Sequence, residues 1–478
     1  MNKTYFVALF WLMTATLFPQ ERITGSWEGS LRIRDSSLRL AFHIEENDTS
    51  YTSRMDSPDQ GAFGLPTTRT TFRDHKLEIV ASGLGLFYRG TLEKDTIHGF
   101  LNQGGISFPL SLRRAEKPGI YRPQTPVEPL PYHSEEVAIP SGDEKITLAG
   151  TLTLPDRGGR FPAVLLIAGS GPNDRDETLY GHKPFFVISD HLTRHGFATL
   201  RYDKRGVGKS TGDFRSATMQ DFEEDAKAAV AYLQQRKEID PANIGLSGHS
   251  EGGLVAAMVA SENSDIRFTV LMAAPGTPGV EVVMDQNEIS MLHQGVEPET
   301  LAQLQQINRE TFEMLLDWNG SEAHKTTLRD QLTRFWDHLP LLIRLKANKD
   351  AFLRSQFNAL TLPGYISFLH SDPSRYLEKV TCPVLAINGE QDTQVLAGKN
   401  LSAIATALYK GGNRKVETRI YPGLNHLFQE GTTGLTDEYA RSEQTLAPAV
   451  LNDLMEWMES AAGLAVTHDN NQKQTIDE

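Results

Sequence analysis

The stretch at residues 244–258, IGLSGHSEGGLVAAM, limits the possible folds more than any other part of the chain. A short apolar run, a Gly-x-Ser-x-Gly pentapeptide and a small-residue helical pattern follow one another with no spacer. That order describes a strand turning sharply into a helix, with Ser250 at the apex. A hydroxyl exposed on so tight a turn needs small neighbours, and Gly248 and Gly252 remove the side chains that would collide there. The helix that starts directly afterwards aims backbone N–H groups at negative charge developing beside the hydroxyl. The pentapeptide alone fixes only three common residues, so reading Ser250 as a nucleophile depends on this context.

The surrounding sequence supplies the context. "FPAVLLIAG" reads as a fully buried strand, and "FATLRYD", "FTVLMAAP" and "PVLAING" as further strands. "KPFFVISDHLTRHG", closed by Gly196, and "MQDFEEDAKAAVAYLQQRKE" read as amphipathic helices. The alternation predicts an α/β fold, a doubly wound and mainly parallel sheet with helices on both faces. About a hundred residues separate "LMAAPG" from "CPVLAING", far more than a crossover requires. Within them Leu301, Leu304, Ile307, Phe312 and Leu315 recur at helical spacing after Pro298, and "LTRFWDHLPLLIRL" and "AFLRSQFNAL" add amphipathic helices. These segments predict an inserted helical cap at about 277–378 that shapes a pocket and excludes water.

Upstream the hydrophobic period changes to two. Leu38, Leu40, Phe42 and Ile44 alternate with polar residues, and so do Ile106, Phe108, Leu110 and Leu112. This predicts a separate N-terminal antiparallel β-sandwich or small barrel over 20–117. Nothing in it clusters as a catalytic or metal site, so a structural or substrate-shaping role is expected, with ligand capture in a barrel mouth as the alternative. Pro118, Pro123, Pro126, Pro129 and Pro131 make 118–132 an extended, semi-rigid linker, and the α/β domain takes 133–478. Lys3 and the apolar run 5–18 suit a signal peptide over 1–19 and are short for a membrane span. A periplasmic or secreted protein with no stable membrane association is expected, and an uncleaved anchor is the alternative. The formal net charge of -14 disfavours nucleic acid and anionic membranes as partners. Cys382, the single cysteine, rules out an internal disulfide and a cysteine metal cluster, and no cofactor or metal is implied.

A serine nucleophile needs a base within hydrogen-bond reach, itself oriented by a carboxylate. In a doubly wound sheet both come from loops at the carboxyl ends of later strands. The loop after "PVLAING" offers Glu390 and Asp392, and the loop after "KVETRIYPG" offers His426. Asp392 is the preferred acid and Glu390, nearer the strand, the reserve. His249 flanks Ser250 and is expected to pack beside the turn. Two backbone donors are also needed for an oxyanion, and Glu251 and Ser170, the latter in "AGSGPNDRDE", stand where such N–H groups would be. "GKST" at 208–211 imitates a phosphate-binding loop, but Asp203 occupies the position where that loop requires glycine. A rigid loop beside the site, with Asp203 and Arg205 paired, is expected instead.

From about Ser134 to the last helix, "YDKRGVGKS", "GHSEGG", "FLHSDPSRYLEKVTCPVLAINGEQDTQV" and "YPGLNHLF" follow in an order that resembles the α/β-hydrolase superfamily. More narrowly the chain resembles exported bacterial serine carboxylesterases that join an N-terminal β domain to a capped hydrolase domain with a "GSGPNDRD" loop. The resemblance implies Ser250 as nucleophile, Asp392 as acid, His426 as base, and Ser170 and Glu251 as oxyanion donors. Ala168 departs from the histidine many relatives carry before the oxyanion glycine. The implied activity is hydrolysis of a small-molecule ester, with short acyl chains or acetylated carbohydrate favoured. An amidase or aminopeptidase with the same residues is the alternative, and a non-catalytic exported binding protein a weaker one.

Overall fold

Where apolar and polar residues alternate in the first hundred positions, the chain forms strands that close on themselves. The computed structural model describes residues 23–33, 36–47, 50–57, 62–115, 122–142, 145–345 and 348–464. The expected signal peptide lies outside these residues. Two compact units divide the chain between Tyr121 and Arg122.

The first unit contains β1 (Gly25–Ile33), β2 (Ser36–Asn47), β3 (Ser50–Ser57), β4 (Ala62–Pro66), β5 (Arg69–Arg73), β6 (Lys76–Ala81), β7 (Leu86–Glu93), β8 (Thr96–Gln103) and β9 (Ile106–Arg114). They run antiparallel in the order β2-β1-β9-β8-β7-β6-β5-β3-β4, and β2 also pairs with β3. That extra pairing closes a barrel, so of the two expected architectures the barrel forms. Closure satisfies backbone groups that a sandwich would leave at its edges. Phe42, Ile79, Tyr88, Ile97 and Leu112 fill the interior. Ile106 breaks the expected alternation at 60% exposure, because it opens β9 directly after the Gly104–Gly105 turn.

The second unit holds β10 (His133–Ser141), β11 (Ile146–Leu154), β12 (Phe161–Ile167), β13 (Ala198–Tyr202), β14 (Ile239–His249), β15 (Ile266–Met272), β16 (Val384–Gly389) and β17 (Val416–Tyr421). Their order is β10-β11-β13-β12-β14-β15-β16-β17. β10, β11 and β13 pair antiparallel, and every pairing from β13 through β17 is parallel. All seven residues of β12 are buried, as a central strand covered on both faces demands.

One face is covered by α1 (Pro184–Arg194) and the C-terminal helix Pro448–Ala462, through Phe185, Ile188, Leu192, Val450 and Leu454. The other is covered by α2 (Met219–Gln235), α3 (Glu251–Glu262) and the helix Ala397–Lys410, through Phe222, Leu233, Leu254 and Ile404. A reciprocal capping box between Thr218 and Asp221 fixes the start of α2. Between β15 and β16 lie α4 (Gly279–His293), α5 (Pro298–Leu316), α6 (Glu322–His338), α7 (Leu341–Arg344), α8 (Lys349–Leu360), α9 (Pro363–Leu369) and α10 (Ser374–Leu377). They have their own apolar core, with Leu304, Ile307, Phe312 and Leu315 inward. "LTRFWDHLPLLIRL" is not one helix: α6 ends before Leu339, because Pro340 disfavours helical backbone at the residue before it.

The described part of the proline-rich segment is fastened by hydrogen bonds. From Arg122 onward it belongs to the second unit. The Arg122 guanidinium donates to the carbonyls of Tyr180, Ala440 and Ser442, Gln124 bridges to Thr445 and Leu446, and Tyr132 donates to Asp190.

Candidate active site

β14 ends at His249 and α3 begins at Glu251, so Ser250 carries the whole reversal. Its backbone sits at φ 52°, ψ -123°, a region that non-glycine residues seldom occupy. The turn is tied down by Ser250 N–H donating to the Met272 carbonyl at 2.8 Å. A Cβ at position 248 would overlap the Gly252 carbonyl, and one at 252 would overlap the Ile167 carbonyl. Both glycines are required by close approach of backbone, and the strain at Ser250 turns its side chain out onto a cavity of about 500 Å³.

The other expected side chains arrive on later loops. Asp392 lies three residues past β16. Its Oδ1 accepts from the Gln394 and Val395 N–H groups, both at 2.8 Å, which leaves Oδ2 for the imidazole. His426 follows β17 in a turn held by Asn425 Oδ1, which accepts from Leu427 and Gln429. His426 Nδ1 meets Asp392 Oδ2 at 2.7 Å, with both residues 3% exposed. Glu390 is exposed and accepts from Gly423 N–H, away from the imidazole. His426 and Ser250 line the same cavity, but Ser250 Oγ has no hydrogen-bond partner among the described residues. Such a bond is commonly long before substrate binds.

Ser170 and Glu251 also line the cavity, and neither backbone N–H donates to a protein acceptor among the described residues. Two unclaimed donors beside a strained serine can receive an oxyanion.

Three residues of this site, Asn173, Glu177 and Lys204, escaped the sequence reading. Gly169 donates to Glu177 Oε1 at 2.6 Å, and its carbonyl accepts from Asn173 Nδ2 at 2.8 Å and Lys204 Nζ at 2.5 Å. Glu177 Oε1 also meets His249 Nδ1 at 2.9 Å, and His249 Nε2 reaches the His426 carbonyl at 3.1 Å. Far from merely packing beside the turn, His249 bridges the loop after β12 to the loop after β17. Burial favours its neutral form most strongly, but the charge and hydrogen bond of Glu177, the His426 carbonyl and the charge of Asp392 outweigh that and raise its pKa above the usual value. The available clue was Lys204 itself, a charged residue directly after the apolar strand β13, because a charge buried there needs partners.

The expected pairing of Asp203 with Arg205 is corrected. Asp203 binds Arg175 Nε and Nη2 at 3.0 and 2.9 Å, whereas Arg205 binds Asp225 and Asp221. The two residues project to opposite sides of the loop, one toward 170–176 and the other toward α2. Each thereby fastens a different element.

The cavity walls are largely apolar, with Phe214, Phe222, Val282, Val283, Tyr365 and Phe368 among them. The carboxylates that line it are already engaged, Glu177 by His249 and Glu251 by Lys204. No group of three or more His, Cys, Asp or Glu side chains suited to a metal occurs among the described residues. No described helix is long and apolar enough to cross a membrane.

Residues 184–430 match the Hydrolase_4 family, described as serine aminopeptidase, S33. The chain is 28% identical over 313 residues to esterase EstD of Thermotoga maritima, covering 65% of each protein. It is 24% identical over 274 residues to the bifunctional esterase/perhydrolase DCH of Acinetobacter calcoaceticus, covering 54% of this chain and 87% of that one. The chain thus spans just under two thirds of the EstD length. Among solved structures, the esterase Pf2001 of Pyrococcus furiosus aligns with a TM-score of 0.43 at 17% identity, over 72% of this chain and 98% of its own.

Proposed function

The chain belongs to the S33 (Hydrolase_4) family of α/β-hydrolases, and from that premise we propose that it hydrolyses carboxylic esters through an acyl-enzyme on Ser250. Ser250 Oγ attacks the ester carbonyl as His426 Nε2 takes its proton. Asp392 holds the Nδ1–H tautomer and stabilises the imidazolium that forms. The oxyanion is received by the N–H groups of Ser170 and Glu251. His426 then returns the proton to the leaving alkoxide, and water repeats the sequence on the acyl-enzyme. The observation that carries this reading is the buried 2.7 Å His426–Asp392 bond on the wall of the cavity onto which the strained Ser250 opens.

The family description favours an aminopeptidase as the second reading. Recognition of a peptide N-terminus needs an uncommitted carboxylate for the ammonium, and both cavity carboxylates are taken. The cavity therefore supports an uncharged ester with a short apolar acyl chain. Acetylated carbohydrate is supported less, because aromatic and aliphatic walls pair poorly with sugar hydroxyls. Export remains part of the proposal on Lys3 and the apolar run 5–18, and N-terminal sequencing of periplasmic protein tests it.

The test compares matched p-nitrophenyl esters, anilides and aminoacyl anilides on purified protein, with fluorophosphonate labelling of Ser250. Ester turnover with labelling is expected. Preferential cleavage of aminoacyl anilides would install the second reading, and failure to label would remove both.

A further inference from the structure

We propose that Lys204 is a positioning residue for the oxyanion site: its buried ammonium aims the Ser170 N–H and couples it to the Glu251 N–H. The proposal rests on the reading of Ser250 as nucleophile and names how its oxyanion donors are held.

Lys204 follows β13 and is 4% exposed. An ammonium so deeply buried is tolerated only where partners replace its lost water. Two do. Nζ donates to the Gly169 carbonyl at 2.5 Å and to Glu251 Oε1 at 3.0 Å, and it lies 4.5 Å from the centre of the Phe222 ring.

The Gly169 carbonyl and the Ser170 N–H belong to one peptide group. A trans peptide is planar with C=O and N–H pointing in opposite directions, so fixing the oxygen fixes the hydrogen. Lys204 and Asn173 draw that oxygen away from the cavity, and the Ser170 N–H is left facing it. A cation on the carbonyl also polarises the amide and makes its N–H the stronger donor.

The second donor is held by the same cation. Glu251 begins α3 and supplies its own backbone N–H. Its side chain takes the ammonium through Oε1 and the Ser170 hydroxyl through Oε2 at 3.3 Å. Lys204 thus spans the loop after β12 and the start of α3. The pair Lys204–Glu251 carries no net charge, so it acts on the transition state through the two donors, by orienting them and by strengthening the Ser170 N–H.

A trifluoromethyl ketone separates orientation from general stability. Ser250 Oγ bonds to the carbonyl carbon, the hydroxyl proton passes to His426, and the carbonyl π electrons become an oxyanion where the ester's would form. In full-length protein Lys204→Met is measured beside Lys204→Met/Glu251→Leu, which leaves no buried charge unpaired and keeps the backbone N–H of position 251. Both are expected to lower kcat about ten- to hundred-fold, to leave KM within about three-fold, and to weaken the ketone Ki by the same factor as kcat/KM. Where the single variant does not fold, the double variant decides. In a folded variant, kcat and Ki within about two-fold of wild type would overturn the proposal, and so would a fall in kcat with Ki unchanged. Full activity in Ser250→Ala, with no ketone inhibition of wild type, would instead defeat the nucleophile reading itself.

Discussion

The barrel contains a serine, a histidine and an aspartate joined by hydrogen bonds more completely than the trio in the hydrolase unit. Ser26 Oγ lies 2.8 Å from His43 Nδ1, and His43 Nε2 lies 2.7 Å from Asp56 Oδ2. In the hydrolase unit only the Asp392–His426 bond is made. Yet Ser26 sits in a regular strand directly opposite His43, on the face turned away from the barrel core. Ser250 by contrast sits on strained backbone at the mouth of a cavity, beside two N–H groups with no acceptor. Three residue types in contact make a cross-strand polar ladder. Strain, a cavity and unclaimed donors are what distinguish a site from it.

The contrast breaks most clearly at the serines. Ser250→Ala is expected to reduce ester kcat roughly 10^6-fold, whereas Ser26→Ala leaves it within about two-fold. Initial rates on an activated ester measure both. The acids come next: Asp392→Asn reverses the tautomer of His426 and should cost about 10^4-fold in kcat. Asp56→Asn is expected to act on stability alone, by about 1–2 kcal/mol in urea unfolding, because it weakens the bonds to His43 and to the Gly64 N–H.

Backbone supplies a third comparison. Gly252→Ala drives a methyl group into the Ile167 carbonyl and is expected to destabilise by about 3 kcal/mol or more. Gly83→Ala, with open space around its Cβ position, should change stability by less than about 0.5 kcal/mol. Urea midpoints of the full chain decide.

pH dependence supplies a further comparison, and there the two units have opposite signs. His182 is buried between Thr445 and the Tyr439 carbonyl, and burial, aided by the charge of Arg122, lowers its pKa to about 4. A histidine depressed on folding contributes stability above its unfolded pKa. On the order of 3 kcal/mol should therefore be lost as pH falls from about 6.5 to 4. The Asp56 hydrogen bond raises the pKa of His43, so its contribution is complete below the unfolded value and is lost as pH rises through the folded one. His182→Gln should flatten the acidic arm of the Tm profile, and His43→Gln the arm above about pH 6.5. An unchanged acidic arm in His182→Gln would remove that assignment.

Much of this was legible in the chain. Period-two alternation announced antiparallel strands, and β12 declared itself through its continuous apolar content. The elbow was readable because Gly248, Ser250 and Gly252 act within one turn, where close contact follows from sequence distance. The barrel closure was not, because β2 and β3 also pair in any open hairpin, and nothing local says that β1 meets β9 as well. Lys204 and Glu177 were missed for a related reason. Each is an ordinary loop residue until its partners, Glu251 and His249, arrive from 47 and 72 positions away. Asp203 and Arg205 do not pair because, two residues apart on one loop, they turn to different partners, Arg175 for the first and Asp225 for the second.

By itself the sequence determined the two regimes of secondary structure, the inserted cap and the turn that lifts Ser250, since all of these follow from side-chain size and period over a few residues. The tertiary structure alone decided which carboxylate met the imidazole, which cation tied the loop after β12 to the elbow, and which serine of two lay open to a cavity. Those choices turn on desolvation and direction, and both exist only once distant segments have excluded water from one another.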